Sequence, residues 1–188
     1  MIHLVGPGGS GKSTVAAALA TRLGCPFYDL DREFERRRAD IDDFIARYGY
    51  EAYARENVAV YLELAPHLVR SVIALSSGFM VYPASVHPAY VSVAEAVARS
   101  PTTVVLLASL DRETCVAETV RRQLARPFGR RDAPREEAVI RERFDRYLAL
   151  PAMKLETTRP APDVATAIHA RLAADCLSFD SAPVPALH

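Results

Sequence analysis

The sequence of 188 residues has little of what would indicate a secreted, zinc-stabilised or membrane protein. Its three cysteines (Cys25, Cys115 and Cys176) form no CxxC pair, which argues against a structural zinc site or a disulfide framework and suits a reducing compartment. No run of about 18 uncharged apolar residues occurs, and the N-terminus has no basic region leading into a long apolar stretch. We therefore expect a cytoplasmic protein that makes no membrane contact.

The sequence also lacks an excess of charge of either sign. Its 23 Lys and Arg residues balance its 23 Asp and Glu residues, so no overall charge favours binding to nucleic acid or to an anionic membrane. Apolar residues make up 50% of the chain, enough for one domain with a real core. We expect that domain to span 1–174, followed by a disordered tail over 175–188.

Glycine, which is scarce elsewhere, is concentrated in the stretch GPGGSGKS at positions 6–13. A flexible tight turn would explain the glycines alone. The spacing of Gly6, Gly11, Lys12 and Ser13 matches the P-loop, between an apolar strand and an Ala-rich helix. Glycines let backbone N–H groups converge on phosphates, while Lys12 reaches the β- and γ-phosphates and the Ser13 hydroxyl ligates Mg²⁺. The residues predicted to bind ATP are Gly6, Gly8, Gly9, Ser10, Gly11, Lys12, Ser13 and Thr14.

Strand and helix patterns alternate along the chain, which predicts an α/β fold with a parallel sheet covered by helices. The third strand has two candidates, Val72–Leu75 and Phe79–Tyr82, of which we favour the first. The other predicted strands are Ile2–Val5, a short strand ending at Asp29, Thr102–Leu107 and Met153–Thr157. The predicted helices cover 13–23, 31–38, 42–48, 51–64, 111–124, 136–150 and 163–174.

Two aspartates, Asp29 and Asp31, come just after the apolar stretch of the second strand. The carboxyl ends of parallel strands line the ligand crevice, and residues two apart on an extended strand point the same way. One carboxylate near the P-loop can bind Mg²⁺, and a second can accept a hydrogen bond or a proton from an attacking hydroxyl. The alternative is that one of the two only caps the next helix.

Together these features resemble the shikimate kinase family. The opening GPGGSGKSTVAAALATRLGCPFYDLDREFE is similar to that family's P-loop, small-residue helix and D-x-D strand end. Ile41–Gly49 is similar to its substrate-binding helices, and Arg126-Pro127-Phe128 to its lid motif R-P-L-L. Arg143–Tyr147 is similar to R-x-P-L-Y, and the likeness extends over roughly 1–172.

The resemblance implies a three-layer α/β/α P-loop kinase with a lid near 124–135 and substrate-binding helices near 31–64. It implies ATP and Mg²⁺ as cofactors and a small hydroxylated carboxylic acid, with shikimate the leading candidate, as acceptor; we expect a monomer. Lys12 and Arg126 would neutralise the transferring phosphate, Asp29 would hold Mg²⁺ and Asp31 would orient the acceptor hydroxyl. Arg143 would bind the acceptor carboxylate. The segment Thr158–Pro160, including Arg159, would lie near adenine.

The sequence departs from this family at the acceptor site. Ala54 stands where the family's G-E-x-x-F-R pattern has an arginine, and Arg55 lies one residue on, about 100° around a helix. The family's triple glycine is absent, replaced by Ser76-Ser77-Gly78 or, in the second alignment, by Pro83-Ala84-Ser85. Serine hydroxyls at these positions suit a differently hydroxylated acceptor. Arg55, Ser76, Ser77 and Gly78 therefore join Asp31 and Arg143 as candidate acceptor-binding residues.

Two other functions are compatible with these departures. One is a kinase on the same fold that phosphorylates a different small acceptor, such as a sugar acid. The other is a regulatory protein that binds nucleotide and transfers little phosphate. The three hypotheses share the P-loop and differ in what the acceptor site does.

Overall fold

A central parallel sheet forms the middle layer of the protein. The computed structural model describes residues 1–125 and 132–180, and of 175–180 only the backbone. The strands within these residues are β1 (Ile2–Val5), β2 (Phe27–Asp29), β3 (Val72–Ala74), β4 (Thr103–Leu107) and β5 (Met153–Glu156). They run in the order β2-β3-β1-β4-β5, and every pair is parallel.

Helices connect the strands, as parallel pairing requires. Those within the described residues are α1 (Lys12–Leu23), α2 (Leu30–Arg37), α3 (Ile41–Tyr48), α4 (Tyr50–Leu64), α5 (Tyr90–Arg99), α6 (Arg112–Leu124), α7 (Ala133–Leu148) and α8 (Ala161–Asp180). Six of these match the predicted helices to within three residues at each end, α8 extends six residues beyond its predicted end, and α5 was not predicted. Its sequence, YVSVAEAVAR, carries three valines, whose β-branched side chains lower helix propensity.

The sheet is buried on both faces because successive strand residues point to opposite sides. On one face Leu4 and Leu106 pack with α1 and α8, through Leu19 and Ile168. On the other face the neighbouring strand residues join a second core that contains side chains of α2, α4, α5, α6 and α7. The predicted three-layer α/β/α architecture is confirmed, and its continuous apolar strands are typical of a parallel sheet.

The structure settles the choice of the third strand. Val72–Ala74 pairs with both β1 and β2, whereas Phe79–Val81 forms one turn of 3₁₀ helix. The favoured alignment is therefore correct, and Ser76-Ser77-Gly78 follows the carboxyl end of β3. The alternative, in which Pro83-Ala84-Ser85 followed the strand, is wrong.

Two predictions concern the C-terminus and the lid. Helix α8 continues to Asp180, six residues beyond the predicted end of the domain at 174, and disorder of the tail stays a prediction. Residues 181–188 lie outside the described residues. So do 126–131, which contain the predicted lid motif and Arg126.

Candidate functional site

The P-loop lies between the end of β1 and the start of α1. Gly11 occupies the N-cap of α1 with a left-handed φ of 84°, so the first turn of the helix faces the loop. The Lys12 side chain folds back over the loop, where Nζ donates to the carbonyl oxygens of Gly6 and Pro7 at 2.8 Å each. A cationic side chain and a helix N-terminus thus converge on one small loop, the arrangement that binds phosphate.

Neighbouring elements lie so close to the loop that side chains in place of its glycines would collide with them. A Cβ on Gly6 would lie 2.2 Å from the carbonyl oxygen of Leu106, at a φ of +148° that other residues rarely adopt. A Cβ on Gly8 would lie 2.2 Å from Nε2 of Gln123, on α6. Ser10 Oγ is buried and has no hydrogen-bond partner among the described residues. A narrow loop with an unpaired hydroxyl fits a phosphate chain.

Asp29 ends β2 and caps the helix that follows. Its Oδ1 accepts hydrogen bonds from the backbone N–H groups of Asp31 (3.1 Å) and Arg32 (3.3 Å), the ordinary role of an N-cap aspartate. Asp29 is therefore the aspartate that caps α2. Because both bonds use Oδ1, capping leaves Oδ2 available to a metal ion or its water.

Asp31 lies in the first turn of α2 and is held by two hydroxyl groups. Its Oδ1 accepts from Ser76 Oγ at 2.5 Å and from Tyr53 OH at 3.2 Å. Burial raises the pKa of the Asp31 carboxyl, the Ser76 hydrogen bond opposes that shift, and the charge of Asp29 adds to it. The carboxyl end of β3 and helix α4 therefore both supply donors to this carboxylate.

Arg143, on α7, contacts the Ser76-Ser77 turn that follows β3. Its Nη1 donates to Ser77 Oγ at 3.2 Å and its Nη2 to Tyr50 OH at 3.1 Å. Tyr147, one turn further along α7, donates to the Ser77 carbonyl at 2.8 Å. Adjacent serines thus bond to the two predicted acceptor-binding groups, because Ser76 contacts Asp31 and Ser77 contacts Arg143.

Arg55 is not joined to this group. Its Nε donates to the Val86 carbonyl at 3.3 Å, and its guanidinium lies 3.8 Å from Glu51. Ala54, at the position of the family arginine, is 1% exposed and belongs to the core beneath the sheet. These contacts give no support to acceptor binding by Arg55, which stays a prediction.

Sequence reasoning missed two polar residues behind the site, Asn57 and Tyr82. Tyr82 OH donates to Asn57 Oδ1 at 3.1 Å, and Asn57 Nδ2 donates to Ser76 Oγ at 2.9 Å. Asn57 follows Tyr53 by four residues on α4, so both lie on one face of the helix. A polar residue on an otherwise apolar helix face was the available signal.

Thr157, after β5, lies beside the P-loop. A Cβ on Gly11 would lie 3.9 Å from the Thr157 side chain, and Arg122 of α6 donates to Thr157 Oγ1 and O at 2.9 Å each. Arg159, predicted to lie near adenine, is two residues further on and exposed. The predicted adenine segment therefore begins next to the loop.

The described residues contain no group of three or more His, Cys, Asp or Glu side chains arranged to hold a metal ion. Any metal here would need further oxygens from a ligand, as Mg²⁺ does when nucleotide phosphates complete its coordination. In the same part of the chain, no helix is long and apolar enough to cross a membrane.

Comparison with known proteins supports one family. The family model described as shikimate kinase matches residues 8–173. A shikimate kinase of Paracidovorax citrulli is 42% identical over 84 residues, which cover 44% of this chain and 46% of that protein. One of Thermobifida fusca is 43% identical over 77 residues, covering 40% and 44%. The matched segment thus spans less than half the length of these curated relatives.

Solved structures extend the likeness to most of the chain. The structure of a shikimate kinase from Acinetobacter baumannii in complex with shikimate superposes with a TM-score of 0.71 at 25% identity, covering 94% of both chains. The shikimate kinase of Aquifex aeolicus superposes with a TM-score of 0.68 at 22% identity, covering 94% of this chain and 98% of that one. The second likeness shows the fold alone.

Proposed function

The chain belongs to the shikimate kinase family, and from that premise we propose that it transfers the γ-phosphoryl group of ATP to a hydroxyl of a small hydroxylated carboxylic acid. Shikimate is the leading acceptor, and the products would be shikimate 3-phosphate and ADP. The observation that carries the proposal is the Ser76-Ser77 turn, which bonds to Asp31 on one side and to Arg143 on the other. The groups proposed to bind the acceptor's hydroxyl and its carboxylate are thus bonded to adjacent residues, Ser76 and Ser77.

The nucleotide side of the reaction depends on the P-loop. Phosphoryl transfer requires alignment and stabilisation of charge more than covalent assistance. Lys12 leaves the carbonyls of Gly6 and Pro7 when phosphate oxygens offer stronger, charge-assisted bonds. Arg126, in the lid motif, is proposed to neutralise the transferring phosphoryl group alongside Lys12.

Mg²⁺ is proposed to bind between Ser13 and Asp29. The Ser13 hydroxyl follows the P-loop lysine, and the cap at Asp29 uses Oδ1 and leaves Oδ2 for the ion or its water. When bound, the ion would neutralise charge on the phosphate oxygens. Asp29 would thus cap α2 and hold the metal with different oxygens.

On the acceptor side, Asp31 is proposed to accept the hydrogen bond of the attacking hydroxyl. Arg143 is proposed to bind the acceptor carboxylate with its planar guanidinium. Ser77 and Tyr50, which now bond to Arg143, would hold its orientation. The acceptor would therefore lie between α2 and α7, above the turn after β3.

The test is ADP release from Mg·ATP, measured with and without millimolar shikimate. Strong stimulation, with a Michaelis constant well below a millimolar, is expected if shikimate is the acceptor. The matched control is Lys12→Ala, which should abolish release in both conditions. Absence of stimulation with ATP still bound would contradict shikimate as acceptor.

A second candidate function, phosphorylation of a different small acceptor such as a sugar acid, is favoured by one observation. Ala54 is 1% exposed in the core, so Arg143 is the single arginine bonded to the Ser76-Ser77 turn among the described residues. Losing one charged contact costs about 1.5–3 kcal/mol. A screen of sugar acids for stimulated ADP release separates the two candidates. If neither shikimate nor any sugar acid stimulates ADP release, a regulatory nucleotide-binding protein is favoured.

A further inference from the structure

A chain of three hydrogen bonds leads from the core to the Asp31 carboxylate. Tyr82 OH donates to Asn57 Oδ1 at 3.1 Å, Asn57 Nδ2 donates to Ser76 Oγ at 2.9 Å, and Ser76 Oγ donates to Asp31 Oδ1 at 2.5 Å. The three donors are buried, with exposed fractions of 6% for Tyr82, 0% for Asn57 and 2% for Ser76. These three hydrogen bonds connect the end of the 3₁₀ turn, helix α4 and the end of β3 to the first turn of α2.

The direction of these bonds is fixed by the number of protons available. The Asp31 carboxylate can only accept, so the single hydroxyl proton of Ser76 points to Asp31. Ser76 Oγ then accepts from the Asn57 NH₂ group, which leaves Asn57 Oδ1 to accept from Tyr82 OH. Burial raises the pKa of Tyr82 well above its ordinary value, so its phenol keeps the proton that it donates.

We propose that Ser76, Asn57 and Tyr82 are positioning residues that fix the orientation of the Asp31 carboxylate and do not bind the acceptor themselves. The inference rests on the proposed function, in which Asp31 receives the acceptor hydroxyl. Ser76 and Tyr53 both bond to Oδ1, so Oδ2 is the oxygen turned to the acceptor. Ser76, predicted from the sequence to bind the acceptor, is thereby assigned a different role.

The simpler interpretation is that these groups only satisfy one another inside the core. Unpaired buried groups cost about 1–3 kcal/mol each, so both interpretations predict that the variants are less stable. They differ in turnover, because misplacing a reacting group by about 1 Å lowers the rate roughly a hundredfold. A structural role alone leaves kcat unchanged in molecules that remain folded.

The experiment measures kcat and both Michaelis constants for Ser76→Ala, Asn57→Leu and Tyr82→Phe, at a temperature where all remain folded. Tyr61→Phe is the matched control, since Tyr61 lies one turn beyond Asn57 on α4, is 6% exposed, and loses one buried hydrogen bond, to His3 at 2.9 Å. We expect kcat to fall roughly ten- to a hundredfold in Ser76→Ala. Tyr82→Phe should show a smaller fall, the KM for ATP should stay unchanged in all, and Tyr61→Phe should keep the parent kcat.

A double variant tests whether Tyr82 acts through Ser76. The double variant Ser76→Ala/Tyr82→Phe should be no slower than Ser76→Ala alone, because Ser76→Ala already removes the hydrogen bond that links Tyr82 and Asn57 to Asp31. Additive losses in kcat, or a kcat for Tyr82→Phe equal to that of Tyr61→Phe, would overturn the proposal. Tyr82→Phe removes one oxygen, so it keeps the test available if Asn57→Leu fails to fold.

Failure of the proposed function is distinguished by a measurement that needs no acceptor. If the parent protein phosphorylates neither shikimate nor a sugar acid, the proposed function is wrong, and crystal structures of the parent, Ser76→Ala and Tyr82→Phe then decide the inference. Rotation of the Asp31 carboxylate in the two variants supports positioning. The same Asp31 orientation in all three structures would refute it.

Discussion

Protonation of His3 should destabilise the fold as the pH falls. His3 lies in β1, is 4% exposed, and places Nε2 2.9 Å from Tyr61 OH, while Nδ1 has no partner among the described residues. Burial, with a smaller contribution from the N-terminal ammonium group, lowers its pKa from 6.5 to about 4. An imidazole with one unpaired buried nitrogen cannot easily accept a proton in the folded state.

The size of the effect follows from the two pKa values. Because the folded pKa lies below the unfolded one, the unfolded chain binds more protons between pH 6.5 and about 4, and stability is lost as the pH falls through that window. At about 1.4 kcal/mol per pKa unit, the loss between pH 7.5 and pH 5.0 is about 2 kcal/mol. Below pH 4 it approaches about 3 kcal/mol.

Urea unfolding at pH 7.5 and pH 5.0 measures this loss. His3→Gln is the reference, because glutamine does not titrate in this range and the other titratable groups are common to both proteins. We expect the parent to lose about 2 kcal/mol more free energy of unfolding than His3→Gln. An equal loss in the two proteins would refute the assignment of a buried, neutral His3.

Three further predictions concern the proposed acceptor site. Asp31→Asn should lower kcat by a factor of about 100 or more while calorimetry finds ATP affinity unchanged, because the amide cannot accept the proton; unchanged turnover would contradict the role of Asp31. Arg143→Leu should raise the acceptor KM roughly tenfold to a hundredfold in steady-state kinetics with little change in the KM for ATP, and an unchanged acceptor KM would exclude Arg143 from carboxylate binding. Gly78→Ala places a Cβ 2.4 Å from Tyr50 OH and 2.7 Å from the Tyr82 ring, so it should displace Tyr50 and raise the acceptor KM; unchanged kinetics would refute the crowding argument.

Arg171→Leu provides a matched control for the arginine variant. Arg171 is exposed on α8, at the face of the sheet where α1 packs. Its loss removes the same charge without touching the turn after β3. An effect of Arg171→Leu equal to that of Arg143→Leu would mean that net charge, not a specific contact, determines acceptor affinity.

Local features of the chain were predictable because they depend on residues close in sequence. The P-loop requires glycines, a lysine and a serine at fixed spacing, and an apolar strand before them. Four of the five strands followed from short apolar runs, and seven helices from their periodicity. Asp29 and Asp31 were placed at the ligand edge of the sheet because β2 ends at Asp29 and the carboxyl ends of parallel strands line that edge.

The acceptor site depends on contacts that no local pattern contains. Ser76 meets Asp31 across 45 positions and Asn57 across 19, and Arg143 meets Ser77 across 66. Which of two apolar runs became β3 was decided by pairing with β1 and β2. The sequence by itself therefore determined the phosphate loop and the layered fold, because spacing and periodicity act along the chain. Only the tertiary structure decided which hydroxyls hold Asp31, because hydrogen bonds depend on distances that packing alone sets.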